Sequence, residues 1–330
     1  MSGAQKIKRA MLSLVFAGLT AALGAAAQAQ DFPKRAVTIV VPFAAGGGGD
    51  ILARMAVQKL EPKWGVPVVV ENKPGAGGNL GAAAVARAAP DGYTILLATS
   101  AQFAVNQTLF KTLPYDPVKD FVPLALAAAT PFVLVANNDL PVKNVAEFVA
   151  YAKAQDKPLS YATAGFGVPH HLYMEMLKSM TGIDMTPVPY RGSVPALADV
   201  MAGHVPVMFV DLGPALGQIQ SRSVRALGAS LARKVEALPD VPFINDTLPG
   251  FDAASWQMYA APAGTPRDII AKLNADLRAV IEDPQLKEQV SKAGMLSLEA
   301  GTIEKLQAFV AAETKRWSEV VRKAGIEGSQ

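Results

Sequence analysis

Val37-Thr38-Ile39-Val40-Val41-Pro42-Phe43-Ala44-Ala45-Gly46-Gly47-Gly48-Gly49-Asp50-Ile51-Leu52-Ala53-Arg54 is an apolar, β-branched run that breaks into four glycines and then turns helical. A continuous run of this kind predicts a strand covered on both faces, and the apolar spacing after Asp50 predicts a helix, so the glycines form a strand-to-helix turn. Glycine lets the backbone approach a ligand closely, and the first N–H groups of the helix lack intrahelical acceptors, which suits a carboxylate or a phosphate. Spacing argues against a nucleotide. Neither Gly46 to Asp50 nor Gly75-Ala76-Gly77-Gly78-Asn79-Leu80-Gly81 fits GxGxxG, and no GxxxxGK[ST] occurs. A structural tight turn and a backbone anion site remain as readings.

Outward from this stretch, strand and helix patterns alternate. Val66 to Glu71 reads as a strand, Asn79 to Ala88 as a small-residue helix, and Tyr93 to Ala98 as a strand ending at Thr99-Ser100. Such alternation predicts a mainly parallel sheet covered by helices, with ligands at the carboxyl ends of its strands. Pro131 to Ala136 is a further strand, and Asn144 with Glu147 forms a capping box for the helix that follows. Leu159 to Thr163, the loop Gly165-Phe166-Gly167-Val168-Pro169 and a helix from His171 to Met180 repeat the opening order and present a second helix N-terminus. Thr186 to Tyr190, Val205 to Val210 and Val224 to Ala229 follow as strands, with a helix behind Ser193 as its cap. Ser255 to Ala261 is a strand, Thr265-Pro266 starts an amphipathic helix, and a last helix carries the stripe Ile303, Leu306, Val310, Trp317, Val320 and Val321.

The N-terminus reads as a secretory signal peptide over 1–29. Lys6, Lys8 and Arg9 precede an uncharged stretch, Ala27-Gln28-Ala29 is a small-x-small cleavage signal, and the apolar part is shorter than the roughly 20 residues of a membrane span. Cleavage is expected after Ala29, with export to the periplasm. Removing the leader lowers Lys+Arg from 31 to 28 against 28 Asp+Glu, so the mature formal charge is zero and the footprint of a nucleic-acid binder is missing. With no cysteine there are neither disulfides nor thiolate metal sites. About 300 mature residues suggest two domains.

Further motifs are Glu71-Asn72-Lys73-Pro74-Gly75-Ala76-Gly77-Gly78, Pro90-Asp91-Gly92-Tyr93-Thr94, His171-Leu172 with Glu175, Pro189-Tyr190-Arg191-Gly192, Arg225-Ala226-Leu227 and Ala261-Pro262-Ala263-Gly264-Thr265-Pro266. Together with the opening stretch, these ordered motifs resemble the periplasmic solute-binding proteins of tripartite tricarboxylate transporters, the Bug family, over nearly the whole mature chain. The resemblance implies an α/β fold of the type II periplasmic-binding-protein kind, two domains closing like a Venus flytrap on a small carboxylate. Residues 30–130 and 251–330 would form domain 1 and residues 131–250 domain 2. It also implies that backbone N–H groups and waters of two facing loops hold the carboxylate. By position those loops comprise Phe43, Ala44, Ala45, Gly46, Gly47, Gly48 and Gly49 on one side and Gly165, Phe166, Gly167, Val168 and Pro169 on the other. The family commonly places hydroxyl side chains where this chain has Gly49 and Val168. That departure weakens the inference of a citrate-like ligand, and Phe166 at the mouth suggests an aromatic or long aliphatic acid, a dicarboxylate included.

Other residues are candidates by position. Asp50 is expected to cap its helix and fix the loop. Thr99 and Ser100 offer hydroxyls at a strand end. Tyr190 and Arg191 sit at another, where Arg191 either pairs a second ligand carboxylate or makes a structural ion pair. Asp211 lies at a third, able to accept from a ligand amine or hydroxyl, or to serve as a solvated or capping residue. His171 is expected to orient the second loop or pack under its helix. His170 and His171 diverge by about 100° on a helix, and His204 has no HExxH spacing, so no metal is expected. No GxSxG elbow and no close carboxylate pair marks an enzyme. The sequence thus reads as a monomeric receptor without cofactor that captures a small organic carboxylate and delivers it to the membrane permease of its transporter. A receptor of the same fold that serves signal transduction is the alternative.

Overall fold

The alternating apolar run at Val37 sits at the centre of the first half of the molecule because both of its faces are covered. The computed structural model describes residues 32–231 and 237–330; the expected leader and its cleavage point lie outside the described residues. Strand β1 (Val37–Val41) pairs in parallel with β2 (Val68–Asn72) and β3 (Thr94–Thr99). Val37, Ile39 and Val41 turn to one face and Val40 to the other, as the two-residue period of a strand requires. Helix α1 (Gly48–Trp64) covers the first face through Leu52, Ala56 and Leu60, and α2 (Asn79–Ala86) covers the second through Ala82 and Val85. Each such fully buried aliphatic side chain contributes about 1.5–3 kcal/mol of transfer free energy.

The next strand joins the two halves. β4 runs for sixteen residues, Phe121–Ala136. The sequence pattern predicts only its second part, Pro131 to Ala136, and assigns no strand to the preceding stretch with Pro123 and a run of alanines. The prolines are accommodated for a physical reason: Pro123 sits at a register shift, and after Pro131 the strand changes partners. A residue without an N–H is tolerated where the ladder is already broken. Up to Pro131, β4 pairs antiparallel with β9 (Ala254–Pro262), which in turn pairs antiparallel with β3. From Phe132 onward it pairs antiparallel with β7 (Val207–Asp211), and from Val133 also with β8 (Arg225–Ala229). The short β10 (Leu296–Ser297) adds to β4. The sheet is therefore mixed, where simple alternation predicts mainly parallel pairing.

In the second half, β5 (Leu159–Thr163) and β6 (Met185–Pro189) pair in parallel, and β5 joins β7. Helix α3 (Val145–Lys153) begins at half of the expected capping box: Glu147 N–H donates to Asn144 Oδ1 at 2.9 Å, whereas the Glu147 carboxylate accepts from Lys143 N–H, at 2.7 Å, one residue before the cap. Helices α4 (Pro169–Thr181), α5 (Ser193–Met201) and α6 (Leu212–Gln220) each leave the carboxyl end of a strand. The C-terminal segment returns to the first half as α7 (Arg267–Ile281), α8 (Pro284–Lys292) and α9 (Ile303–Lys323). Trp317 of α9 also stacks on Tyr173 of α4, ring centroids 6.1 Å apart, so this helix packs against both halves.

Two helix starts differ from the sequence expectation. Ser193 is the first residue of α5, because Gly192, at φ +142°, takes the capping position that a side chain disfavours. Thr265 donates its hydroxyl to the Pro262 carbonyl, and α7 begins at Arg267, behind Pro266 in the capping position.

Candidate ligand-binding cleft

The strand ends place several helix N-termini at one cleft between the halves. Gly48 opens α1, Pro169 opens α4 and Ser193 opens α5, and all three line the same inner cavity. In α1 the first helical hydrogen bond runs from Ile51 N–H to Gly47 carbonyl, so the N–H groups of Gly48, Gly49 and Asp50 have no intrahelical acceptor. A partial positive charge at each of these ends favours an anion by about 0.3–1 kcal/mol per helix in exposed settings and more where water is excluded.

The inner cavity has a volume of about 60 Å³, room for a few waters. It opens beside an outer cavity of about 410 Å³, with Phe43, Ala44, Ala164, Val168 and Gly192 shared between them. Tyr190, Arg191 and Gly75 to Gly78 complete the outer wall. The halves touch at several points. A methyl group at Gly48 would lie 3.3 Å from Asp211 Oδ2, and one at Gly192 would lie 3.1 Å from the Ala44 Cβ.

Asp211, at the end of β7, is buried in this cavity. Its Oδ2 accepts the Gly48 N–H at 2.9 Å and its Oδ1 lies 3.1 Å from His170 Nε2. Burial alone would push the carboxyl up, but His170, the Gly48 N–H and the Ser193 hydroxyl together hold it below the ordinary carboxylate range. An ionised carboxylate only accepts, so His170 Nε2 carries the shared proton. His170 Nδ1 is then left buried without a hydrogen-bond partner. Two more buried atoms of the same cavity are unpaired. Gln257 donates Nε2 to Thr130 Oγ1 at 2.6 Å, leaving its Oε1 unpaired, and Ser255 Oγ also lacks a partner. Each unmade hydrogen bond at a buried atom costs about 1–3 kcal/mol.

Supporting contacts shape the two loops. Asp50 is inside the first turn of α1, with Gly47 in the capping position, so it is not the N-cap. Its carboxylate reaches back to accept the Gly46 N–H at 3.0 Å and pairs with Arg54 at 3.0 Å. Burial works against its ionisation, yet Arg54, Gly46 and Asn72 hold it below the usual value. Asn72 donates to the Phe43 carbonyl at 3.0 Å. In the second loop, Gly167 N–H points at His171 Nδ1 at 3.5 Å, and burial pushes the His171 imidazole down to about 4.

The residues singled out in the sequence fall into distinct places. Phe43, Ala44, Ala45, Gly47, Gly48, Gly49, Thr99, Val168, Pro169 and Asp211 line the inner cavity, and Gly165, Tyr190 and Arg191 the outer one. Gly46 is turned toward Asp50 and Val194. Ser100 is buried at the start of the turn Ala101–Val105, behind Thr99. Phe166 lines neither cavity: its ring packs edge-on against His171, with centroids 5.4 Å apart. Gly167 faces Leu109, Phe110 and Asn106. Among the described residues Arg191 makes no ion pair, whereas Tyr190 donates to Asp199 at 2.6 Å. Asp211 is neither solvated nor free to face a ligand alone, because Gly48 and His170 hold both of its oxygens.

Sequence reasoning assigned no ligand role to His170, Thr130, Phe132, Ala164, Gly192, Ser193, Val194, Ser255 and Gln257, all of which line the inner cavity. The usable signal was polarity out of place: Thr130, Ser255 and Gln257 are isolated polar residues in otherwise apolar strands, and all three are buried.

Known proteins are similar to this chain over most of its length. The model of the tripartite tricarboxylate transporter family receptors matches residues 52–326. Protein BugT of Bordetella pertussis is 34% identical over 308 residues, covering 93% of this chain and 94% of that protein. The solved structure of R. palustris Rpa4515 with adipate superposes with a TM-score of 0.86 at 34% identity, covering 90% of this chain and 99% of that one. MatC (Rpa3494) from Rhodopseudomonas palustris, with bound malate, superposes with a TM-score of 0.83 at 34% identity, covering 88% and 100%. The chain is a member of the tripartite tricarboxylate transporter receptors, the Bug family of periplasmic solute-binding proteins.

Proposed function

We propose that this receptor captures a small organic carboxylate between two domains and hands it to the permease of a tripartite tricarboxylate transporter. The domains would be 30–130 with 251–330, and 131–250, joined where β4 changes partners after Pro131. The observation that carries the reading is the convergence of the α1, α4 and α5 N-termini on one inner cavity. A carboxylate there accepts backbone N–H groups from both halves, so it binds the closed form better than the open one, and this difference in affinity drives closure. The adipate and malate of the two solved relatives support a carboxylate as ligand class. The outer cavity leaves room for the remainder of the ligand, and Arg191, which makes no ion pair among the described residues, would meet a second carboxylate.

Export to the periplasm as a monomer without a cofactor completes the proposal. A thermal-shift screen of the mature protein against mono-, di-, tri- and aromatic carboxylates tests it. Binding to the folded state alone raises stability by about 2.7 kcal/mol at a hundredfold excess over Kd. A clear stabilisation by at least one carboxylate is expected; a flat panel, with no acid released on denaturing the purified protein, would refute the ligand class.

A further inference from the structure

Four consecutive residues in the wall of the outer cavity have positive φ: Gly75 at +132°, Ala76 at +47°, Gly77 at +62° and Gly78 at +89°. Glycine adopts this backbone freely, but Ala76 carries a Cβ that disfavours it. A strained residue of this kind persists only where its surroundings hold it. The side chain that holds this turn is Gln102, fully buried in the turn Ala101–Val105. Its Nε2 donates to the Gly77 carbonyl at 2.7 Å, and its Oε1 accepts both the N–H and the hydroxyl of Thr99, each at 3.1 Å. The Gln102 backbone carbonyl is itself fixed by the Tyr115 hydroxyl at 3.0 Å. A methyl group at Gly78 would lie 2.6 Å from Gln102 Nε2, so amide and turn are in direct contact. The two ends of this amide reach different places: Thr99 lines the inner cavity, whereas Gly77 lines the outer one and lies against the Phe166 carbonyl of the other half.

We propose that Gln102 is a positioning residue for ligand capture: it holds the Gly75–Gly78 turn in the shape on which the Phe166 carbonyl seats, and ties that shape to Thr99 at the inner cavity. This rests on the closure of two halves over an acid proposed above, and adds the residue that makes one side of their junction ready for it. Gln102 lines neither cavity, so it acts through the turn and not on the acid. A turn already in its docked shape loses less freedom on closure. Without Gln102 affinity therefore falls for every acid alike, and the preference among acids stays as it was.

Hydrogen exchange without any acid, and calorimetry with malate, adipate, citrate and benzoate, test this in Gln102→Met, which keeps the side-chain length and loses the bonds at both ends. The reporter amides are Thr99, which donates to Gln102, and Gly78, whose N–H closes the turn on the Gly75 carbonyl at 2.9 Å. Both should exchange about tenfold or more faster in the variant, a larger factor than in the core strand β1. Affinity for whichever of the four acids the wild type binds should fall by about tenfold, by a common factor where several bind. Ala76→Gly removes the strain without replacing the bonds, so adding it to Gln102→Met should restore affinity severalfold, which it would not do if Gln102 served only as packing. Ala76→Val, at an exposed position, strains the same turn from outside and should lower affinity likewise; it keeps the test intact if Gln102→Met folds poorly. Unchanged exchange at Thr99 and Gly78, or an affinity that is unaltered or is not rescued by Ala76→Gly, overturns the positioning role alone. Binding of none of the four acids by the wild type counts instead against the ligand class, and the exchange measurement, which needs no acid, still decides whether Gln102 holds the turn.

Discussion

Asp211 Oδ2 accepts the N–H of Gly48 at 2.9 Å, joining the last residue of β7 to the first residue of α1 across 163 positions of sequence. The protein's own carboxylate therefore occupies part of the helix N-terminus that the glycine run creates. The bond joins the two parts of the sheet. On the carboxylate reading proposed above, an incoming acid would share this helix end with Asp211 or displace it.

Replacing Asp211 by asparagine removes the charge from the Gly48 and His170 contacts and should destabilise the protein by about 2–3 kcal/mol at pH 7. Because the folded-state pKa lies below the ordinary value of 3.8, the stability that the carboxylate contributes is complete above that value and disappears as pH falls below it. Urea unfolding of wild type and Asp211→Asn should thus differ more at pH 7 than at pH 3. An equal gap at both pH values would remove the charge from the account.

The loop of Gly77 lies against the carbonyl of Phe166, and a methyl group at Gly77 would collide with that oxygen. Gly77→Ala should weaken binding of any stabilising acid by about tenfold or more, with X-ray scattering showing a larger radius of gyration in its presence. Gly65 is the control. It has a similar φ, +68° against +62°, but no atom within 4 Å of an added methyl group. Gly65→Ala carries the same backbone strain of about 1–2 kcal/mol and should bind as wild type. Equal affinity in both variants would argue against the contact.

His171 supplies a pH signature of its own. Burial depresses its imidazole to about 4, against the usual 6.5, with the nearby Glu175 carboxylate opposing that shift and Lys178 adding to it. The unfolded chain takes up a proton below pH 6.5 while the folded one does not until about 4, so stability rises with pH across that window and is complete above it. The contribution is on the order of 3 kcal/mol over the whole window. His171→Gln should flatten the rise between pH 5 and 6.5 in equilibrium unfolding; an unchanged slope would place the proton elsewhere.

Much of the fold was legible from local pattern. The β1 run and the glycine break after it are dictated by side-chain branching and backbone freedom, and the structure places α1 directly behind them. What was not legible depended on long-range pairing. The stretch before Pro131 carries no strand expectation, whereas the structure runs β4 through it and sets Pro123 and Pro131 where the ladder shifts or changes partner. The cleft divides the same way. Gly47 to Gly49 and Pro169 announce helix ends in the sequence, but Thr130, Ser255 and Gln257 meet there only because β4 and β9 pair. The Phe166 ring meets His171 rather than either cavity, a contact that local sequence rules do not show.

The central claim is that backbone N–H groups of facing helix ends hold the acid. Amide chemical shifts of isotope-labelled protein, titrated with the most stabilising carboxylate of the thermal screen, test it most directly. The amides of Gly47 to Gly49, of His170 at the start of α4, and of Gly192 and Ser193 should show the largest shifts, saturating together at one Kd. A tightly bound acid that leaves these amides unmoved, and perturbs another region instead, would contradict the account.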